Sequence, residues 1–387
     1  MRVFRRFIPV VLICGAVATH GQQDAPAPQP YAAINRATIN YSGPDRETSR
    51  DLAGPEIKIG LIAPLQGARK AEGDALVAAA QLAVEDESAA PLAGGQRIEL
   101  VARDETGLWG RASSEIVKLV VDDRAVALIT SSDGRAAHLS EQVGNRLGVP
   151  VVTLASDATT TQINIPWLFR LVPNDAAQAR AFAEGIYREH AFRKVLLISE
   201  SDHDGRVGAE EFEKAARRLQ APAPARIEIT LPLVDAESLS KTIQAQESEA
   251  IVLWTSAAAA AQLLQGIPGT RAAIYLCRKV LEEPLINAVA GKQNIWISAS
   301  RVASSGSESV TFAERYRART GVAPSPAAAE VYDAVRLIAA GLHESGPNRA
   351  RLRDALATHT EYHGVSGVIA FDGAGNNQAE VALVPLR

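Results

Sequence analysis

From Ile57 onward, short apolar runs alternate with longer amphipathic stretches. Ile57–Ala63 is a brief run rich in β-branched residues and reads as a strand. Gly73–Glu87 follows, with Leu76, Ala80, Ala83 and Val84 at helical spacing. Arg97–Ala102 reads as the next strand, and Ala112, Ile116, Leu119 and Val120 mark the next helix. Val126–Ile129 predicts a strand, Ala136–Arg146 a helix and Val149–Leu154 a strand. Alternation at such short intervals predicts right-handed βαβ units around a parallel sheet.

The same alternation restarts after Pro173. A helix is expected over Ala176–Glu189, a strand over Lys194–Ile198, a helix over Ala209–Leu219 and a strand over Arg226–Leu231. Ala250–Trp254 and Ala257–Leu264 form another strand and helix, and Ala273–Cys277 and Ile295–Ser298 are further strands. Pro166, Pro173 and Asn174 mark a passage between two lobes, although no close internal repeat is visible. Val331, Val335, Ile338 and Leu342 lie on one face of a long helix, and Arg351–Thr358 predicts another. Val368–Phe371, the turn Asp372–Asn377 and Glu380–Val384 read as a closing strand pair.

The first 56 residues follow no such pattern. Arg2, Arg5 and Arg6 precede an apolar run, Phe7 to Ala18, and then small or polar residues, Thr19 to Gln22. That order is the order of a secretory signal, expected over 1–21. The apolar run is about 12 residues, too short for a membrane span of roughly 20. Ile13 precedes Cys14 where a lipid-anchor site wants a small residue, which argues against a lipoprotein. Residues 22–56 are rich in Gln, Pro, Ser and Gly and read as a disordered tether. The expected location is outside the cytoplasm.

The chain of 387 residues is long enough for about two domains. Without residues 1–21 its formal charge falls from −4 to −7, which leaves no basic footprint for nucleic acid. Cys277 then stands without a partner, so no intrachain disulfide is expected.

Local phrases in this order resemble a known family. They are IKIGLIAPLQG from Ile57, RDETGLWG from Arg103, GVPVVTLASDATTT from Gly148, PWLFRLVPND from Pro166, YDAVRLIAAGL from Tyr332 and GVSGVIAFDGAGN from Gly364. Together, over roughly Glu56 to Arg387, they are similar to type 1 periplasmic binding proteins of the leucine/isoleucine/valine-binding group. The resemblance implies an α/β fold of two doubly wound parallel-sheet lobes joined by a three-stranded hinge. The first lobe would comprise 57–174 and 302–376, and the second 175–301 and 377–387. It also implies a cleft ligand, an ABC permease as membrane partner, and no chemistry on the ligand.

Thr130 to Gly134 lie between a strand and a helix. A helix N-terminus offers unpaired N–H groups, and Ser131 and Ser132 add hydroxyls beside it, which suits a carboxylate. In the family this turn holds the ligand's α-carboxylate. Plain capping by Ser132 or Asp133 is the alternative. Ala155, Ser156 and Asp157 follow the next strand; the family's turn here gives a carbonyl and a hydroxyl to ligand, and Asp157 would pair with an ammonium or cap the next segment. In the second lobe, Asp204 stands before Gly205 where the family often has an aromatic. Cys277, Arg278 and Lys279 stand where amino-acid receptors place an acid. Lys279 would then face the ligand, or these cations form a solvated turn. Trp254, Thr255 and Ser256 end another strand, with Ser256 a ligand candidate and Trp254 more in keeping with core. In the first loop, Gln66, Ala71 and Glu72 are near the cleft mouth, and Glu72 also suits the first turn of its helix.

Enzyme readings find little support. The run Glu200, Asp202, His203, Asp204 lacks the spacing of a calcium loop, so no metal is expected there. His138 near Ser131 and Ser132 has no defined third partner, so it reads as a structural or surface residue. No cofactor motif is present. The expected function is a solute-binding subunit for a small amino acid or related carboxylate. A sensor of the same fold speaking to a separate membrane partner is the alternative, ahead of an exported α/β enzyme.

Overall fold

Two sheets form, and they repeat one strand order. The computed structural model describes residues 49–162, 165–280, 289, 294–300, 306–358 and 361–386. The expected signal segment, Cys14, the tether up to residue 48 and hinge residues 301–305 lie outside the described residues. The first sheet contains β1 (Glu56–Ala63), β2 (Arg97–Asp104), β3 (Ala127–Thr130), β4 (Val151–Thr153) and β5 (Leu168–Arg170). All its pairings are parallel, in the order β2-β1-β3-β4-β5. Next come β6 (Val195–Glu200), β7 (Ala225–Ile229), β8 (Ala250–Trp254), β9 (Ala273–Leu276) and β10 (Ile295–Ser300). A short antiparallel pair follows, β11 (Tyr362–Gly364) and β12 (Gly367–Ile369), then β13 (Val381–Pro385). The second sheet runs β13-β10-β9-β8-β6-β7, parallel except where β13 lies antiparallel on β10.

Ten helices are labelled in chain order. They are α1 (Lys70–Glu87), α2 (Trp109–Val121), α3 (Gly134–Leu147), α4 (Asp175–Ala183), α5 (His203–Arg218), α6 (Ala236–Ala245), α7 (Ala257–Gly266), α8 (Ser307–Thr320), α9 (Pro326–Ser345) and α10 (Arg349–Thr358). The period-2 alternation of strand side chains sorts the first core onto two faces. Ile59 and Leu61 pack with α1, α8 and α9, whereas Ile62 and Leu128 pack with α2 and α3. Helices on both faces explain why the strands read as continuous apolar runs. The second core is one cluster, running from Phe182 of α4 through the β6 and β8 residues to Leu263 of α7. No helix among the described residues is long and apolar enough to cross a membrane.

Trp254 is buried in that core, edge-on to Phe182. Its indole lies over α5 at Gly208, where a Cβ would fall 1.7 Å from Nε1. Gly208→Ala therefore overpacks a site with no free volume. It is expected to destabilise the protein near the upper end of about 1–3 kcal/mol. Calorimetry should show Tm falling by several degrees; an unchanged Tm would mean the indole moves freely.

Three details differ from the sequence pattern. The expected closing strand pair does not form: β12 pairs with β11, and β13 crosses to the second sheet. The bridge Phe371–Asn377 and the bond from Gln378 N–H to Ala370 O stop short of Glu380–Val384, where Leu383 packs on the other core. The helix expected to Glu189 is α-helical only to Ala183, and its last turn, Glu184–Glu189, has the wider π spacing. Residues 49–55, expected in the tether, are tied down: Leu52 N–H donates to Pro347 O, and Gln96 Nε2 donates to Gly54 O.

Described passages between the sheets run at 171–174 and 370–380, and the link from β10 to α8 includes residues outside the described ones. The first and last passages run side by side. Arg170 N–H donates to Gly375 O at 2.7 Å, and Asn377 N–H donates to Arg170 O at 3.0 Å.

Candidate functional site

In each sheet the strand order reverses direction at one point, between β1 and β3 and between β6 and β8. Loops leaving the C-terminal ends of strands at such a point diverge and leave a crevice, where open α/β sheets bind ligands. Here the two crevices face each other. The Gly134 N–H after β3 meets the Asp204 side chain, and the Asp157 side chain after β4 meets His203, both partners following β6, while Lys279 after β9 supports Asp204.

The loop after β3 enters α3. Asp133 caps that helix, accepting from the N–H groups of Arg135 and Ala136, so of the two capping alternatives Asp133 is the one found. Burial works to raise the Asp133 carboxyl, but Arg135, Lys279 and Arg69 together hold it well below the usual carboxylate range. Ser131 Oγ donates to Glu105 Oε2 at 2.6 Å and accepts from Asp133 N–H at 3.1 Å. Ser132 Oγ donates to Glu72 Oε1 at 3.1 Å. Both hydroxyls are thus engaged by the protein's own groups. Arg69 binds Glu72 at 2.8 Å, Glu105 at 3.2 Å and Asp133 at 3.1 Å. Burial pushes Glu105 up to about 8 despite Arg69.

The N–H of Gly134 points across the gap. It donates to Asp204 Oδ1 at 3.1 Å, and Lys279 Nζ donates to Asp204 Oδ2 at 2.6 Å. A side-chain carboxylate of one lobe therefore sits on a helix N-terminus of the other, where peptide amides and the helix dipole favour an anion. Burial still raises Asp204 above the ordinary aspartate value, against the pull of Lys279. Arg278 is not available to the gap, since it is ion-paired with Glu330 of α9.

Asp157, after β4, accepts from Thr159 N–H at 2.8 Å through Oδ1. Its Oδ2 lies 3.1 Å from His138 Nε2 and 2.6 Å from His203 Nε2. Burial opposes ionisation, but the two histidines and Thr159 hold Asp157 well below the usual range. The hydrogen bond to Asp157, then that to Glu141, pushes His138 up to about 9. The sequence reading of His138 as structural or surface missed this partner, which is close in space but 19 residues away in sequence. Arg170, buried beneath this loop, donates to the carbonyls of Ala155 and Asp157 at 2.8 and 2.6 Å. Ser156 is half-buried, and its carbonyl accepts from Asp175 N–H at 2.8 Å. Burial pushes Asp175 up to about 7.

On the second lobe, Ser256 caps α7 and its N–H and hydroxyl donate to Glu200 at 2.5 and 3.1 Å. Ser156, Asp204, Thr255, Cys277 and Lys279 line a small cavity with Gln178, Glu200 and Asp202. Its free space is about 10 Å³, the room of about one water molecule. The described conformation is closed. Of the candidates, Ser131, Ser132 and Glu72 join the Arg69 cluster, Asp204 and Lys279 meet the Gly134 N–H and Asp157 binds the two histidines, three neighbouring parts of one polar network region; Ala155 and Ser156 lie beside them, and Ser256 sits behind Glu200. Arg69, Glu105, Arg135, His138 and His203 belong to the network without having been singled out for it. The run Glu72–Arg69 at helical i,i+3 spacing was the available signal for one of them.

The family model described as periplasmic binding protein matches residues 56–385. A Leu/Ile/Val-binding protein homolog of Brucella melitensis is 26% identical over 163 residues, 42% of this chain and 44% of that protein. A protein of Pseudomonas aeruginosa named amino acid binding protein is 25% identical over 151 residues, 39% of this chain and 40% of that one. The chain thus aligns with less than half the length of the curated relatives it matches. Among solved structures, the fold is similar to LivJ of Streptococcus pneumoniae in complex with isoleucine, with TM-score 0.74, 22% identity and coverage of 86% of this chain and 100% of that one. It is also similar to a solute-binding protein of R. palustris in complex with benzoate, with TM-score 0.73, 19% identity and coverage of 86% and 93%.

Proposed function

The chain belongs to the periplasmic binding protein family, and from that premise we propose that it is an exported receptor subunit of an ABC importer that closes on a small amino acid or related carboxylate. It is a binding protein rather than an enzyme. The observation that carries the reading is the Asp204 carboxylate seated on Gly134 N–H across the gap, beside Lys279. A ligand carboxylate reaches the same donors once the lobes part. The surrounding carboxylates, Asp157 and Asp202 among them, then suit the ligand's ammonium. With room for about one water, the closed form admits no solute, so opening precedes binding.

The lobes we propose are 57–174 with 302–376, and 175–301 with 377–387. Opening pivots on the three passages between sheets. The ion pairs across the gap do not forbid it, because a buried pair repays little more than its own desolvation and water replaces those partners on opening. Solute then shifts the balance by its extra contacts in the closed state. A closed surface presented to a membrane permease completes the role.

Thermal-shift screening of the protein against amino acids, amides, short dicarboxylates and aromatic acids tests the reading. A true solute at 100 times its Kd stabilises the fold by about 2.7 kcal/mol. The double variant Ser131→Ala, Ser132→Ala frees Glu105 and Glu72 beside the anion site. It is expected to weaken that solute at least about tenfold, as each lost bond to a charged group is worth about 1.5–3 kcal/mol. Wild-type affinity in the double variant would remove these serines from the site.

A further inference from the structure

We propose that His138, Asp157 and His203 form a binding site for a divalent ion of the zinc class, joining the two lobes. His138 and Asp157 come from the first lobe and His203 from the first turn of α5 in the second. Their ligating atoms all lie within 4.8 Å of one another. Both imidazole Nε2 atoms converge on one carboxylate oxygen, at 3.1 and 2.6 Å. Around a tetrahedral zinc with bonds of about 2.0–2.1 Å, ligand atoms stand about 3.3 Å apart. Outward shifts of about 0.2 Å at His138 and about 0.7 Å at His203 thus turn the hydrogen-bonded bridge into a coordination shell.

Three further features fit an ion. Behind His138, the buried carboxylate of Glu141 places Oε2 3.4 Å from Nδ1, the outer partner that orients metal-bound histidines. Thr159 Oγ1, 2.9 Å from His138 Nε2, or a water, supplies a fourth position. The side chains of His138 and His203 are 25% and 33% exposed, which leaves a path for entry. Two imidazoles and one carboxylate select zinc, nickel or copper over magnesium and calcium. The carboxylates that favour a proton on His138 also favour a dication there. The sequence reading expected no metal, since the run Glu200–Asp204 lacks calcium-loop spacing; the donors gathered here come from three separate segments.

The inference rests on the two-lobe arrangement and shares Asp157 with the proposed solute cleft, so its test is kept separate. The full chain, stripped with a chelator, is titrated with zinc chloride by calorimetry. The expected result is one equivalent bound with Kd below about 1 μM, and no saturable binding of magnesium. His138→Ala and His203→Ala each weaken zinc at least about tenfold, Glu141→Gln about tenfold, and His343→Ala not at all. Cobalt gives the intense visible absorption of a four-coordinate site in the wild type and loses it in either histidine variant. Absence of saturable zinc binding, or binding that survives His138→Ala and His203→Ala together, overturns the site. A solute that binds in the presence of chelator while zinc does not sinks this inference alone. Zinc binding with no solute found in the screen sinks only the solute reading.

Discussion

Arg170→Met is expected to lower the unfolding free energy by about 3–5 kcal/mol, a loss typical of breaking a buried charge network. Arg170 is fully buried, and burial drags its guanidinium down to about 10 against the pull of Asp175, Asp157 and Asp372. It stays charged because its donors are used. Besides the carbonyls of Ala155 and Asp157, it reaches Thr160 Oγ1 at 2.7 Å, Thr161 Oγ1 at 2.9 Å and Asn376 Oδ1 at 3.2 Å. Methionine fills much of the volume and leaves buried acceptors without donors, each costing about 1–3 kcal/mol. Arg170→Lys should fall between, since three ammonium donors cannot span the same set. Calorimetry should show Tm lower by on the order of 10 °C for the methionine variant. A Tm within about a degree of wild type would mean the loop is held by something else.

The second large effect is expected at Gly134. A Cβ there would lie 2.4 Å from Asp204 Oδ1 and 3.0 Å from Asp157 Oδ2. The Asp204 contact, the closer of the two, forms only on closure, whereas the tight Asp157 contact lies within the same lobe and must be relieved there by a small shift of that side chain. Gly134→Val should leave Tm within a few degrees while blocking the closed state. An added closure cost of about 2.7 kcal/mol weakens the screened solute about 100-fold. Small-angle scattering should show a larger radius of gyration than wild type. A variant that closes and binds normally would show that this contact lies outside the working cleft.

The alternation of strands and helices was legible because the central strands, such as β1, β3, β6 and β8, are buried on both faces and the helices beside them on one. The runs Ile57–Ala63 and Ala250–Trp254 differ by no more than a residue from the strands that form. Strand β5 was not legible, because three residues give no period. Helices α6 and α8 bury little, mainly Ile243 and the pair Phe312–Tyr316, so their apolar signal is faint. The fate of β13 depended on the core into which Leu383 sinks, which no local pattern encodes. The turns at the strand ends could be found from chain order. Their partners could not: Asp204 meets Gly134 from 70 residues away, and Arg278 meets Glu330 from 52. Pairings of that kind come from the facing of two sheets, and nothing in the intervening sequence specifies them.

Strand β13 also bears on how the molecule is made. It is the outermost strand beside β10, and it follows the rest of its sheet by about 80 residues of sequence, from Ser300 to Val381. A polypeptide halted before Val381 would leave the backbone of β10 bare along one side, an invitation to pair with a neighbouring molecule. Residues 381–385 are thus the ones that cover this side of β10 against aggregation.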